Sequence, residues 1–115
     1  MSWVFKVVRR EFYEAWGDRQ PWDGSSADLR DGFIHLSRGD QVAGTLAKHY
    51  AGQDDLVLLW LPTEALPEDQ LRWEPSRGGA LFPHLYGPLW RSWVARADDL
   101  QLVEGLHRLP TDLPT

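Results

Sequence analysis

The longest apolar run in this chain reads Leu56-Val57-Leu58-Leu59-Trp60-Leu61, and Pro62 follows it directly. Successive side chains of a β-strand point to opposite faces, so an extended run of this composition is apolar on both faces. Such strands are typical of the centre of a sheet that is covered on each side. We therefore predict a central strand here, which ends at Pro62 because proline lacks the backbone N–H that a strand needs.

Other segments show the spacing of helices or strands around this central strand. Helices are predicted from about Arg10 to Trp16 and from about Arg38 to Tyr50, where apolar side chains recur three and four positions apart. The remaining predicted strands are rich in β-branched and aromatic residues and cover Trp3 to Val8, Phe33 to Ser37, Leu71 to Glu74, Leu81 to Tyr86 and Leu89 to Ala95, with a last strand or two within Leu100 to Leu109. This mixture lacks strict strand-helix alternation, which indicates an α+β domain with two or three short helices.

Length and composition limit the class of protein. The chain has 115 residues, of which 43% are hydrophobic and 25% charged, and this fits one folded domain. We expect the domain to cover residues 1–109 and residues 110–115 to form a frayed tail. With 12 Lys and Arg against 17 Asp and Glu, the formal charge is -5, which argues against a nucleic-acid partner. The absence of Cys excludes disulfides, thiolate zinc sites and Cys nucleophiles.

The start of the chain and its apolar runs bear on its place in the cell. Lys6 comes too early for the apolar core of a signal peptide. The run from Leu56 to Leu61 is far shorter than the roughly 20 residues that cross a bilayer. We therefore expect no membrane partner and a cytoplasmic location.

Two short stretches share one arrangement of side chains. Phe33-x-His35-x-Ser37 and Phe82-x-His84-x-Tyr86 each place an aromatic ring, an imidazole and a hydroxyl group at alternate positions. An extended backbone projects all three side chains from one face, so each stretch is a candidate part of a ligand pocket. The candidate catalytic residues are His35, Glu74 and His84, and the candidate ligand-binding residues are Phe33, Ser37, Tyr50, Phe82 and Tyr86.

Several of these side chains have a structural explanation as well as a functional one. His35 is explained equally well as a partly buried imidazole bonded to a backbone carbonyl, or as a partner of an anion at the N-terminus of the helix that follows. Ser37 and Asp40 have the spacing of a capping box, which predicts Ser37 as the N-cap of that helix. Trp73 is expected to desolvate the neighbouring Glu74 and raise its pKa, as acid–base catalysis favours, although exposed Glu is the commoner case.

A metal site is the least supported use of the same residues. His35, His84 and Glu74 would provide two imidazoles and one carboxylate, which some metal ions bind. The sequence contains no His-x-His, His-x-x-x-His or His-Glu-x-x-His motif that would support such a site. We therefore expect no metal.

The chain resembles the uncharacterised bacterial family known as domain of unknown function 952. The resemblance extends over most of the chain and is carried by Glu14-Ala15-Trp16, Gly32-Phe33-Ile34-His35-Leu36-Ser37, Leu56-Val57-Leu58-Leu59 and Phe82-Pro83-His84-Leu85-Tyr86-Gly87. The two segments that contain His are its most specific part. The resemblance implies the compact split β-sheet fold of ADP-ribosyltransferases, in which two facing sheets enclose a cleft for NAD.

The resemblance also implies roles for particular residues. In that superfamily a histidine on an early strand holds the nicotinamide ribose, and His35 occupies the matching position. A tyrosine stacks on the nicotinamide, for which Tyr50 and Tyr86 are both candidates, and a glutamate stabilises positive charge on the ribose, for which Glu74 is the candidate. The implied ligand is a nucleotide, with NAD as the cofactor, and the implied activity is ADP-ribosyltransferase-like or NAD-cleaving.

Two other functions are compatible with the same residues. The first is a non-catalytic binding module for a small anionic or aromatic metabolite, which would use the pocket without Glu74. The second is a protein-interaction domain, because 7 Trp, 4 Phe and 3 Tyr are many aromatic residues for a short chain, and exposed Trp can form a patch for a partner. The sequence leaves the oligomeric state open.

Overall fold

The predicted central strand lies in the middle of a three-stranded antiparallel sheet. In the computed structural model, which describes residues 2–114, this strand is Leu56–Pro62. It pairs with Trp3–Arg9 on one side and with Arg96–Leu100 on the other. Two residues lie outside the described part of the chain. They are Met1, where the predicted domain begins, and Thr115, where the predicted tail ends.

Ten strands and three α-helices make up the regular structure of the described residues. The strands are β1 (Trp3–Arg9), β2 (Pro21–Trp22), β3 (Ile34–His35), β4 (Leu56–Pro62), β5 (Leu71–Pro75), β6 (Leu81–Leu85), β7 (Leu89–Trp90), β8 (Arg96–Leu100), β9 (Leu102–Val103) and β10 (Leu106–His107). The helices are α1 (Arg10–Ala15), α2 (Ser26–Asp31) and α3 (Val42–His49).

A second three-stranded antiparallel sheet contains His35 and His84. Its order is β3-β6-β5, and two smaller pairs form between β2 and β7 and between β9 and β10. Phe5 and Ser37 join the two larger sheets through backbone hydrogen bonds of 2.8 and 2.9 Å. The structure is thus α+β, with several small sheets and few short helices, which confirms the predicted class at this level.

The two faces of β4 pack into two apolar clusters. The first combines alternate side chains of β4 with side chains from β3 and β6: Val57, Leu59, Leu61, Ile34 and Leu85. The second combines the other side chains of β4 with side chains from α3: Leu56, Leu58, Trp60, Val42 and Leu46. Because burial of each Leu is worth about 1.5–3 kcal/mol, both faces of the strand stabilise the fold, as its sequence predicts.

The sequence predicts two of the three helices. Both α1 and α3 fall within the predicted helical segments, and α3 begins late because a 3-10 turn occupies Gly39–Gln41. The third helix, α2, follows a capping box at Ser25 and ends at Gly32, whose φ is +86°. Its six residues are too few to show an apolar stripe, so periodicity gives no signal for it. None of the helices within residues 2–114 has the length and apolar character to cross a membrane.

The predicted strand from Leu89 to Ala95 is wrong in its second half. β7 ends at Trp90, and a 3-10 turn follows at Arg91–Trp93. The Arg91 guanidinium donates to the Tyr13 hydroxyl at 2.6 Å and lies 4.4 Å from the centre of its ring. These contacts with a distant part of the chain favour the turn, and local residue preference contains no sign of them.

The C-terminal segment lies against the second apolar cluster. Leu109 and Leu113 pack on this cluster, and the Asp112 carboxylate pairs with the Arg96 guanidinium at 2.6 Å. The domain boundary at residue 109 and the fraying of residues 110–115 remain predictions.

Candidate functional site

His35 and His84 lie next to each other on neighbouring strands. They are direct partners in the antiparallel pairing of β3 with β6, and their ring centroids are 5.7 Å apart. The Phe33 ring stacks on His84 with 4.0 Å between centroids. Side-chain alternation along both strands therefore brings together two motifs that are far apart in the sequence.

Two carboxylates hold the His35 ring. Its Nδ1 lies 2.6 Å from Asp28 Oδ1, and its Nε2 lies 2.9 Å from Asp31 Oδ2. The backbone N–H of His35 also donates to Asp28 Oδ1, at 3.1 Å. Since both ring nitrogens contact carboxylates, the interpretation of His35 as an imidazole bonded to a backbone carbonyl is wrong. Both aspartates belong to α2, the helix that the sequence does not predict.

A buried ion pair lies behind His35. Lys6 and Asp28 have side chains that are only 7% and 1% exposed, and Lys6 Nζ lies 3.0 Å from Asp28 Oδ2. Burial alone would raise the pKa of Asp28, but the hydrogen bonds from His35 and the charge of Lys6 hold it well below its usual range. Burial lowers the pKa of Lys6, against the opposing effect of Asp28. Lys6 also donates to the His35 carbonyl at 2.9 Å, so the pair fixes both the ring and the backbone of this residue.

Lys6 and Asp28 are absent from the candidates drawn from the sequence, although each has a signal there. Lys6 is the one charged residue in the otherwise apolar run from Trp3 to Val8, and a buried charge requires a partner. Ser25 and Asp28 have capping-box spacing, and both bonds form, at 2.9 and 3.3 Å. At Gly24, with φ +111°, an added Cβ would lie 2.5 Å from Asp28 Cβ, so a glycine is needed there.

His84 is held by one carboxylate and by its neighbours on the sheet. Its Nδ1 lies 2.8 Å from Glu74 Oε1, and the Tyr86 hydroxyl donates to the same oxygen at 2.8 Å. The Arg72 guanidinium lies 4.8 Å from the centre of the Tyr86 ring. The structure therefore joins Glu74, His84 and Tyr86, three of the predicted site residues, in one hydrogen-bonded group.

The expected rise in the pKa of Glu74 is wrong. The hydrogen bonds from His84 and Tyr86 hold the pKa of this carboxyl below its usual value. The hydrogen bond between Tyr86 and Glu74 also raises the pKa of Tyr86. Trp73 does not desolvate Glu74, because neighbouring side chains on a strand point to opposite faces, and Trp73 is 42% exposed. Glu74 is therefore ionised at neutral pH and acts as a hydrogen-bond acceptor.

Ser37 has a structural partner and is not the N-cap of α3. Its backbone bonds to Phe5, and its hydroxyl lies 3.0 Å from Thr45 Oγ1. The predicted capping box of Ser37 with Asp40 is wrong, because the bridge to β1 takes the backbone of Ser37 before the helical turns begin. Gln41 Oε1 instead accepts a hydrogen bond from the Arg38 backbone, at 2.9 Å.

A cleft of about 600 Å³ opens in front of the two histidines. Its lining includes most of the predicted site residues together with polar and charged side chains from β1, α2 and α3: His35, Ser37, Tyr50, Phe82, His84, Lys6, Asp28, Arg30, Asp31, Thr45, Lys48 and His49. Phe33, Glu74 and Tyr86 are not part of this lining, and all three contact the ring of His84 or hold it in place. Burial raises the pKa of Tyr50.

The helix that follows β3 does not direct its N-terminus at this cleft. The residues of α3 in the lining, from Thr45 to His49, come from its middle and its C-terminal end. The predicted anion site at the N-terminus of this helix, beside His35, is therefore wrong. Lys48 and His49, at the C-terminal end of α3, both line the cleft.

A second depression in the described residues has a different character. It measures about 800 Å³ and lies between α1 and the turn before β4, lined by Arg9, Arg10, Glu11, Glu14, Ala15, Gln53, Asp54 and Asp55. It contains no aromatic or imidazole side chain, and Arg10 pairs there with Asp55 at 3.8 Å. Among residues 2–114, no group of three or more His, Asp or Glu side chains is arranged to hold a metal ion. The histidine cleft is therefore the candidate site.

Fold and site together define a small α+β protein with paired histidines in one cleft. The chain belongs to a protein family of unknown function, DUF952, whose model matches residues 7–97. Both His motifs lie within the matched range, and the family resemblance inferred from them is confirmed.

Solved structures of the protein CC0527 from Caulobacter crescentus, a structural genomics target, are similar to this chain. The crystal structure shares 46% identity, covers 93% of this chain and 94% of that chain, and has a TM-score of 0.85. The solution NMR structure shares 47% identity over 92% and 91% of the two chains, with a TM-score of 0.79. No curated protein matches the chain.

Proposed function

We propose that the histidine cleft binds a nucleotide, with NAD as its ligand, and that the protein cleaves the bond between nicotinamide and ribose. The observation that carries this proposal is the pairing of His35 with His84 at the cleft, where carboxylates hold both rings. In this proposal the two three-stranded sheets are the halves of an ADP-ribosyltransferase-like split sheet. The cleft is lined from both of them, by Phe5 to Val7 of β1 and by the two histidines.

A sugar hydroxyl is the group that best fits between His35 Nε2 and Asp31. These atoms are 2.9 Å apart in the free protein, and Asp31 is 34% exposed, so its carboxylate can move to admit a ligand. A hydroxyl accepts from an imidazole N–H and donates to a carboxylate, whereas a phosphate would be repelled by Asp31. This position therefore suits a ribose better than a phosphate.

The rest of the cleft offers contacts for the other parts of a nucleotide. Arg30 and Lys48 supply positive charge for phosphates, and Tyr50 and Phe82 supply aromatic surface for a base. Tyr50 is preferred over Tyr86 for stacking because Tyr50 lines the cleft. The volume of about 600 Å³ falls within the range of roughly 300–1,000 Å³ that is usual for ligand pockets.

Binding and cleavage of NAD test this proposal directly. We expect NAD to shift the NMR signals of His35 and His84 at millimolar concentration, and free nicotinamide to accumulate on chromatography. His35→Gln should weaken NAD binding at least tenfold, whereas His107→Gln should leave it unchanged, because His107 bonds to the Gln53 carbonyl and is not part of the cleft. Absence of any NAD-dependent signal change in the folded wild-type protein would refute the proposal.

A non-catalytic binding module for a small anionic or aromatic metabolite is the second candidate. It is favoured by the position of Glu74, which lies outside the cleft lining and contacts His84 instead of a ligand directly. In this case Glu74→Gln would leave ligand affinity unchanged, and the wild-type protein would bind NAD or adenine nucleotides without releasing nicotinamide.

The interaction-domain alternative has less support. Within residues 2–114 Trp73 is the one exposed tryptophan, at 42%, and Leu81 on the neighbouring strand is 46% exposed. The other tryptophans are buried or half-buried, so the aromatic richness of the sequence serves mainly to fill the core. Trp73→Ala should leave NAD binding intact.

A further inference from the structure

The His84 ring is fixed in orientation from several sides. Glu74 reaches its Nδ1 from β5, at 2.8 Å, and Phe33 stacks on its face from the segment before β3. Tyr86 fixes the same Glu74 oxygen with a second hydrogen bond of 2.8 Å. Such support on neighbouring strands holds an imidazole in one pose, as a group that transfers protons requires.

The second ring nitrogen of His84 is available to a ligand. Nε2 of His84 has no hydrogen-bond partner among the described residues. Every fully buried polar side-chain atom of these residues does have a partner, so Nε2 is not fully buried. This nitrogen is therefore accessible, and His84 lines the cleft. His35 differs, because both of its ring nitrogens contact carboxylates.

The charge state of Glu74 decides which nitrogen of His84 carries the hydrogen. The pKa of Glu74 lies below its usual value, because His84 and Tyr86 both bond to its carboxylate, so Glu74 is ionised and acts only as an acceptor. The neutral His84 ring then carries its hydrogen on Nδ1, which leaves the lone pair of Nε2 directed away from Glu74. This is the tautomer of a general base.

We infer that His84 is the general base that activates the acceptor, that Glu74 is its positioning residue, and that the acceptor is water or another hydroxyl compound. This inference rests on the proposed cleavage of NAD. As the bond between C1′ of the ribose and the nicotinamide nitrogen breaks, nicotinamide leaves with the bonding electron pair. The acceptor oxygen forms the new bond to C1′, and its proton passes to Nε2 of His84 and then to solvent.

The kinetic test compares variants at His84 and Glu74 with the His107→Gln control. His84→Gln should lower kcat for nicotinamide release at least 100-fold while the Kd for NAD changes less than threefold, since general bases contribute about 10²–10⁴ in rate. Glu74→Gln should lower kcat about tenfold while the Kd for NAD stays unchanged, because Glu74 no longer holds the His84 ring in one pose and one tautomer. Added methanol should give a methyl riboside in the wild-type protein, and less of it in His84→Gln.

The possible failures separate the two proposals. If wild-type protein cleaves NAD and His84→Gln cleaves it equally fast, the role of His84 is overturned and the proposed function stands. If wild-type protein does not bind NAD, the proposed function is overturned. In that case ¹⁵N NMR of the His84 ring tests independently whether His84 has the tautomer of a general base. A hydrogen on Nδ1 and none on Nε2 at neutral pH supports His84 as a general base that acts on another hydroxyl compound. A hydrogen on Nε2 overturns the assignment of His84 as a base.

Discussion

His35 and His84 occupy the same position in two similar sequence motifs, yet their surroundings differ. Asp28, which is 1% exposed and paired with buried Lys6, holds His35 from behind, and Asp31 occupies its other nitrogen. Among the described residues His84 has one carboxylate partner, Glu74, which is 35% exposed, and His84 lines the cleft. The spacing of a motif thus determines which face a side chain occupies, whereas its chemistry depends on residues from other parts of the chain.

Substitution of Asp28 should produce the largest difference between the two histidines. Asp28→Asn leaves Lys6 as a buried charge without its counterion, which should lower the free energy of unfolding by about 3–5 kcal/mol. Urea denaturation measures this change. The matched control is Asp31→Asn, which alters the other side of the same ring at a partly exposed position and should cause less than about a third of that loss. Equal losses in the two variants would contradict the assigned role of the buried pair.

Acid should destabilise the His35 side of the site in particular. The folded pKa of Asp28 lies below its usual value of 3.8, so the unfolded chain takes up the proton first, and stability falls as the pH drops below about 4. The loss should be smaller than that caused by Asp28→Asn, because protonation removes the same charge but keeps the carboxyl group. Urea denaturation between about pH 7 and pH 3 measures it. The Asp28→Asn variant should show a flatter profile, and an unchanged slope would disprove the assignment.

Removal of the Phe33 ring should affect both histidines, but unequally. Its centroid lies 4.0 Å from His84 and 4.6 Å from His35, so Phe33→Ala should move the NMR signals of His84 more. The free energy of unfolding should fall by about 2 kcal/mol, less than for a fully buried ring. Phe33→Leu is the control that keeps apolar volume without the ring. Larger shifts at His35 would contradict the stacked geometry.

Neutralisation of Glu74 should have the smallest effect on stability. Because this carboxylate is partly exposed and its partner His84 lines the cleft, Glu74→Gln should change the free energy of unfolding by less than about a third of the loss caused by Asp28→Asn. Thermal or urea denaturation checks this value. A loss as large as that of Asp28→Asn would show that the two carboxylates serve the same structural purpose.

The sequence predicts the central strand and the shared face of the two motifs because both depend on local alternation. Leu56 to Leu61 are apolar on both faces and lie between two clusters, as expected. The sequence does not predict Asp28 and Asp31 as the partners of His35, because both lie in α2, a helix too short to show periodicity. Spacing alone predicts Ser37 as a helix N-cap, but its long-range bridge to Phe5 prevails over that local preference.

The backbone bridge between Phe5 and Ser37 also makes the opening of the cleft measurable. Each of the two amides donates across the joint between the sheets, at 2.8 and 2.9 Å, and the residues beside them, Lys6 and Leu36, line the cleft. Neither amide can exchange its hydrogen for deuterium until the sheets separate at this point. Their exchange rates therefore report how often the cleft comes apart, and a ligand that touches both sheets should slow the two amides together.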